Sequence, residues 1–337
     1  MRIRSILALA AALTGLSLAA VRPADAQIVI KLGTIAPEGS IWHDTLLDIR
    51  QRWRDLTNGE VELRIYPGGV LGGEDEMVRK MQRQSLDALT ISGAGMPFID
   101  DIVDCLNLPL LFDSYDELDK VRREIAPELE RSFDMKGYKV LNWAEAGWVH
   151  FFAKDPVATP DDLRKQRLWT STGASSDEVL LKQLGFRVVP LPATDMLTGL
   201  QTGMIEAIDV PPLFALLDRS YQVADNMTDL QFAPLNAATV ITTRAWERIP
   251  QQFRDGLVSA ARDAAASLRE GVQKAERDAI DEMVARGLHL VTPDAQQVAQ
   301  WRTLSRSVYT DLPCAKEYPA LFNRIMMLQG ESIRAKP

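Results

Sequence analysis

Apolar and polar positions along the chain change period several times, and each change marks an element. From Ile28 to Leu32 a β-branched run ends at Gly33, and from Trp42 to Leu56 apolar residues recur at helical spacing until Thr57-Asn58-Gly59 stops them. Val61 to Tyr66 alternates with period two and closes at Pro67-Gly68-Gly69. Glu74 to Gln84 returns to helical spacing, and Leu86 to Ile91 predicts a third strand. Strands separated by helices predict a parallel α/β sheet, whose strand ends converge on one rim where ligands usually bind. The rim segments here are Ala36 to Ser40, Gly68-Gly69 and Ser92 to Gly95.

A second cycle follows: a strand from Lys139 to Trp143, a polar connector Lys154 to Asp162, a strand Arg167 to Thr170, a helix Ser175 to Leu184, then Val188-Val189 and Met196 to Thr202. Pro211-Pro212 fits a strand end or crossover but not a central strand. After Asn236 comes the β-branched run Thr239 to Thr243. Pro250 then opens a helical pattern that runs to Arg286, with Gly287 as its stop. Such a helix would extend roughly 55 Å and brace two lobes. Gly256 and Gly271 leave open two helices meeting at a kink. The expected division is residues 27–148 with about 238–270 as one lobe, 149–237 with about 271–310 as the other, and 311–337 as a C-terminal segment.

The N-terminus sets the compartment. Arg2 and Arg4 precede an apolar stretch from Ile6 to Val21, followed by Ala24-Asp25-Ala26, the pattern of a secretory signal with a small-x-small cleavage site. The stretch is interrupted by Thr14, Gly15 and Ser17 and is shorter than the roughly 20 apolar residues of a membrane span. The mature chain is expected to begin at Gln27, in the periplasm. The full chain has 337 residues and a formal charge of -8, and removing residues 1–26 takes it to -10. That balance argues against nucleic acid or an anionic lipid surface as partner. An oxidising compartment permits a bridge between Cys105 and Cys314, and the sequence leaves a bridge and two separate thiols equally open.

Catalytic patterns are missing. There is no G-x-S-x-G, G-x-G-x-x-G, G-x-x-x-x-G-K-[ST], H-E-x-x-H or C-x-x-C, so no enzyme activity, cofactor or metal is expected. His43, His150 and His289 are scattered, and His43, beside Trp42 at a rim helix start, is the one candidate ligand contact among them. Glu74, Asp75 and Glu76 fall in a helix first turn, where the helix dipole accounts for them.

Six short stretches together carry a resemblance: Thr57-Asn58-Gly59, Leu71-Gly72-Gly73-Glu74, Leu106 to Phe112, Thr159-Pro160-Asp161-Asp162-Leu163, Leu184-Gly185 and Leu200-Gln201-Thr202-Gly203. In their order they resemble the extracytoplasmic solute-binding proteins of tripartite ATP-independent periplasmic (TRAP) transporters, of the C4-dicarboxylate-binding type, over nearly all of Gln27 to about Val308. The resemblance implies a two-lobed α/β fold like that of periplasmic binding proteins, with crossing strands and a long helix bracing both lobes. It also implies hinge closure over a small organic solute and delivery to TRAP-type permease subunits. A monomer is expected.

The site departs from the family pattern. Many members carry an arginine in the strand after D-L-x-G, where its planar fork holds a carboxylate; counting from Asp162-Leu163, that position is Trp169. The G-x-x-D-G-x-E-N-P stretch, which usually supplies an asparagine, here reads Gly203 to Pro211 without it. Arg167 lies two residues earlier on the same side of the strand, so a shifted register would restore a carboxylate binder. The expected cleft has aromatic walls from Trp148, Trp169, Phe214 and Trp42, polar readers at Glu145 and Asp209, and Ser92, His43 and Arg167 as further contacts. The bland alternative is that the aromatics are core. These positions favour a flat or apolar solute, neutral or cationic, over a simple dicarboxylate. The rival readings are a secreted hydrolase, or a binding protein serving a sensor or an efflux assembly.

Overall fold

The structure is a computed structural model that describes residues 27–172 and 175–329. The expected leader with its cleavage site after Ala26, and residues 330–337 of the C-terminal segment, lie outside the described residues.

Ten strands form the frame: β1 (Ile28–Thr34), β2 (Val61–Tyr66), β3 (Ala88–Ser92), β4 (Tyr138–Ala153), β5 (Arg167–Ser171), β6 (Arg187–Leu191), β7 (Ala207–Val210), β8 (Asn226–Thr228), β9 (Ala233–Thr242) and β10 (His289–Val291). They are joined in the order β2-β1-β3-β9-β4-β7-β5-β6, with β8 and β10 attached to β4. β1 is parallel to β2 and β3, and β5 is parallel to β6 and β7, as strand-helix-strand units require. The sheet is not parallel throughout, however. β9 runs antiparallel to both β3 and β4, and β4 antiparallel to β7. The reason is that each half of the sheet receives one strand that has crossed over from the other.

β4 is the pivotal element. The pattern marks only Lys139 to Trp143, because Glu145, Ala146 and Gly147 look like a break. The strand instead continues for 16 residues through a register shift between Glu145 and Gly147. It pairs with β9 along most of its length and with β7 and β8 at its far end, so one continuous strand belongs to both halves. Pro211-Pro212 falls just past β7, which is flanked by β4 and β5. The prolines therefore open the helix Pro212–Asp218 and remove no ladder hydrogen bond.

The long helix is a single element, Gln251–Ala285, without a break at either glycine. At Gly271 a β-carbon would lie 2.4 Å from Ile41 Cδ1, so this glycine serves a close approach to the helix Ile41–Leu56, not a kink. Near its start, Leu257, Ala260 and Ala261 pack with Ile30 and Trp53 in one buried cluster. Near its end, Met283 packs with Phe152 and Met196 in another. Trp53 Nε1 also donates to the Leu257 carbonyl at 3.0 Å. The helix thus rests on both halves of the sheet.

A helix that the pattern did not single out, Tyr115–Met135, starts at Ser114, whose hydroxyl accepts from the Glu117 N–H. Cys105 and Cys314 form a disulfide, closing a separation of 209 residues and fastening the C-terminal helices to the turn Asp101–Leu106. Among the described residues no helix is long and apolar enough to cross a membrane, and no group of His, Cys, Asp or Glu is arranged to hold a metal ion.

Candidate functional site

A cavity of about 130 Å³ lies where the carboxyl ends of β1, β3, β5 and β7 face the middle of β4 and β9. Such ends are where open α/β sheets leave a crevice. β1 leads into it at Thr34, Ile35 and Ala36, β3 at Thr90, Ile91 and Ser92, β5 at Trp169 and Ser171, and β7 at Asp209 and Val210. β4 contributes Asn142, Ala144, Glu145 and Ala146, and β9 contributes Leu235, Ala237 and Thr239. Trp42, Leu268 and Phe214 enter from three helices. The alanines of β4 and β9 make the room, because they stand where a pleated strand would ordinarily carry bulky side chains.

Six of the expected residues meet here: Trp169, Trp42, Glu145, Asp209, Phe214 and Ser92. Trp169 is nearly buried, and its Nε1 donates to the Leu191 carbonyl at 3.0 Å, which fixes the ring and uses its only donor. Ser92 is not free to bind: its N–H donates to Glu74 Oε1 at 2.6 Å and its hydroxyl to Oε2 at 2.7 Å. Glu74 is therefore more than a dipole partner. Burial pushes its carboxyl up to about 7 although both Ser92 bonds favour the charged form. Glu145 meets Arg122 Nη2 at 2.6 Å, and Arg122 also pairs with Asp119, which in turn holds Arg269 of the long helix.

Three expected residues lie outside the cavity. Trp148 follows the β4 register shift, which turns it into the interior; it is 1% exposed and meets Tyr115 edge-on at 5.5 Å. His43 is turned back on its own helix start, where Nδ1 accepts from the Gly39 N–H at 3.1 Å. Arg167 begins β5, at the strand end opposite the cavity. There Nη2 donates to the Gly203 carbonyl at 2.6 Å and Nε to the Met204 carbonyl at 3.0 Å, and the guanidinium pairs with Glu206. It is a strap for the turn before β7, and a two-residue shift does not bring it into the cleft. His150 is buried as well, its Nδ1 at 3.0 Å from the Thr228 carbonyl, and burial lowers its pKa.

The pattern missed Asn142, Thr90, Thr239 and Ser171. The two threonine hydroxyls hydrogen-bond each other across β3 and β9 at 3.0 Å. Asn142 is 3% exposed, and its Oδ1 has no hydrogen-bond partner among the described residues. The available signal was a polar amide set between the apolar residues Val140-Leu141 and Trp143. Among the described lining residues the charged ones are Glu74, Glu145 and Asp209, with no lysine, arginine or histidine.

Below the cavity, Glu276 of the long helix accepts from the Trp148 N–H at 2.8 Å and from the Tyr115 hydroxyl at 3.0 Å. Burial pushes its carboxyl up to about 7. It lies against Gly147, whose φ of +123° is open to glycine and strained for other residues.

Two α/β halves sharing crossing strands and a bracing helix, with a largely apolar cavity between them, define the two-lobed class of solute-binding proteins. The family model of bacterial extracellular solute-binding protein, family 7, matches residues 32–313, and the chain belongs to this family, that of the TRAP periplasmic solute-binding proteins. It is 25% identical over 243 residues to the 2,3-diketo-L-gulonate-binding periplasmic protein of Escherichia coli, covering 71% of this chain and 73% of that one. It is 25% identical over 319 residues to the C4-dicarboxylate-binding periplasmic protein of Rhodobacter capsulatus, covering 92% and 94%. Among solved structures it is similar to a TRAP periplasmic solute-binding protein from Desulfovibrio salexigens with bound orotic acid. The TM-score is 0.84 at 18% identity, covering 90% of this chain and 99% of that one. It is also similar to one from Haemophilus influenzae with bound L-gulonate, with a TM-score of 0.83 at 20% identity, covering 89% and 98%.

Proposed function

We propose that this protein, exported to the periplasm with cleavage after Ala26, captures one small organic solute between its lobes and hands it to a TRAP-type permease without catalysing a reaction. The lobes are residues 27–148 with about 238–270 and residues 149–237 with about 271–310, acting as a monomer. The solute is not a simple dicarboxylate, and Trp169, Phe214, Trp42, Glu145 and Asp209 contact it.

The lining of the cavity carries this reading: apolar and aromatic surface with acidic residues and, among the described residues, no basic side chain. A carboxylate that left water for such a site without a paired cation would lose several kcal/mol, although relatives in solved structures hold L-gulonate or L-malate. Small-angle scattering with and without the solute that co-purifies should show compaction on binding, and calorimetry should give one site per chain. Confirmed binding with an unchanged radius of gyration would reject closure. Tight binding of malate or succinate would reject the exclusion of dicarboxylates.

A further inference from the structure

We propose that the solute presents an uncharged edge with a hydrogen-bond donor beside an acceptor, the cis-amide edge of a lactam or imide, and that Asn142 reads it. This rests on the solute-capture reading above and narrows it from the exclusion of dicarboxylates to a definite polar group.

Asn142 belongs to a polar row. In register across four adjacent strands, Thr34 of β1 lies beside Thr90 of β3, Thr90 beside Thr239 of β9, and Thr239 beside Asn142 of β4. Cross-strand partners share a face, so the four side chains stand together on one side of the lobe I sheet, and all four residues line the cavity. The threonines are supplied with partners: the Thr90 and Thr239 hydroxyls bond each other, and Thr34 Oγ1 accepts from the Ala36 N–H at 3.1 Å. The row ends at Asn142, whose buried Oδ1 has no hydrogen-bond partner among the described residues. A buried amide oxygen without a donor is costly. The same amide carries two N–H donors, so it sets an acceptor and a donor side by side. Turning the amide by half a turn exchanges its two edges and leaves that demand unchanged.

The second observation comes from the helix Ile41–Leu56. Trp42 lines the same cavity, and its Nε1 is buried without a hydrogen-bond partner among the described residues; an indole nitrogen can only donate. The unmatched groups therefore include donors and an acceptor, all uncharged. A carboxylate can accept from Asn142 Nδ2 and Trp42 Nε1, but it has no hydrogen for Asn142 Oδ1, and among the described lining residues no basic side chain offsets its charge. An ammonium can donate to Oδ1 but offers no acceptor to either N–H. A cis-amide edge meets both edges of the asparagine in one plane, its N–H donating to Oδ1 and its carbonyl accepting from Nδ2. An imide has a second carbonyl, the kind of group that Trp42 Nε1 lacks. The flat ring of either suits the aromatic faces of Trp169 and Phe214.

The test is calorimetric titration of the full mature chain with rings of one size that differ in the polar edge: glutarimide and 2-piperidone, their N-methyl forms, cyclohexanol, cyclohexylamine and cyclohexanecarboxylate. Glutarimide or 2-piperidone should bind most tightly. N-methylation removes the ring's only donor and should weaken binding by about tenfold or more, since it leaves Asn142 Oδ1 unpaired. Asn142→Leu should weaken the unmethylated ring by about tenfold or more and its N-methyl form by less than about threefold. Without solute, the melting temperature of that variant should stay within a few degrees of the parent's, and the N-methyl comparison on the unmodified chain decides the matter even where the variant fails to fold. The inference is overturned if an N-methyl form binds as tightly as its parent ring, or if Asn142→Leu weakens both forms alike, which would make Asn142 a structural amide. Tighter binding of the acid, the amine or the alcohol also overturns it, while solute capture stands. If no member of the series binds at millimolar concentration, solute capture in this cavity is rejected and the inference falls with it.

Discussion

Replacing Gly147 by alanine should be among the most damaging single-methyl changes available in this chain. A β-carbon at that position would sit 2.2 Å from Glu276 Oε1 and 2.9 Å from Pro211 Cβ, on a backbone with φ of +123°. The backbone strain alone is about 1–3 kcal/mol. Moving Glu276 aside to relieve the clash breaks its bonds to the Trp148 N–H and the Tyr115 hydroxyl. Hydrogen bonds to a charged acceptor are worth about 1.5–3 kcal/mol each, and the Trp148 N–H would then lie buried without a partner. Because Glu276 yields only in part, the expected loss is about 3–6 kcal/mol. Urea denaturation should show a lower midpoint with an unchanged slope. Glu276→Ala should cost much less in the Gly147→Ala background than alone, with a coupling of about 1–3 kcal/mol, since the clash and the hydrogen bonds involve the same carboxylate. A loss below about 1 kcal/mol, or strict additivity, would refute the reasoning.

Three further outcomes are expected. Cys105→Ser with Cys314→Ser should destabilise the chain by about 2–5 kcal/mol, because the bridge closes a loop of 209 residues; equal melting temperatures with and without reductant for the unmodified chain would argue otherwise. Burial raises Glu74 from 4.5 to about 7 in the folded chain, so its contribution to stability is fully present below about pH 4.5 and is lost as pH rises through 7. Glu74→Gln should flatten that part of the stability profile, by on the order of 3 kcal/mol across the window. Trp169→Ala should destabilise the fold by about 3–5 kcal/mol, since the indole is packed with Met196 and Val210 and bonded to Leu191. Trp169→Phe keeps most of that packing and is the better probe of solute contact; a melting loss for the phenylalanine variant as large as for alanine would show that the indole N–H, not the ring, holds the site.

Much of the outer frame was legible, and the reason is local. β2 coincides with Val61–Tyr66 because the alternation is regular and Pro67 ends it. The helix Ile41–Leu56 is bounded by a serine cap and by Thr57-Asn58-Gly59. The middle was less legible. β4 carries a polar, glycine-containing stretch that reads as a loop, and only pairing with β9 and β7 makes it strand. Site residues divide in the same way. Trp169, Asp209 and Ser92 follow from the rule that ligands gather at the carboxyl ends of parallel strands. Trp148 is decided by a register shift and His43 by a turn onto Gly39, while the bonds of Arg167 reach across 36 or more residues of sequence. No single-strand pattern contains those contacts, nor the pairing of Glu145 with Arg122.

The continuity of β4 also bears on how this chain would be turned into a fluorescent reporter. In a receptor whose halves are joined by slack linkers, a fluorescent domain can be spliced into the connection. Here the connection is itself a paired strand, and adding one residue inside it would flip every following side chain to the other face, taking Phe151 off the cluster it shares with Trp301 and Phe152 off the one it shares with Met196. The mechanical signal must therefore be read from dyes attached to side chains on the outer faces of the two halves, leaving the backbone between them uncut.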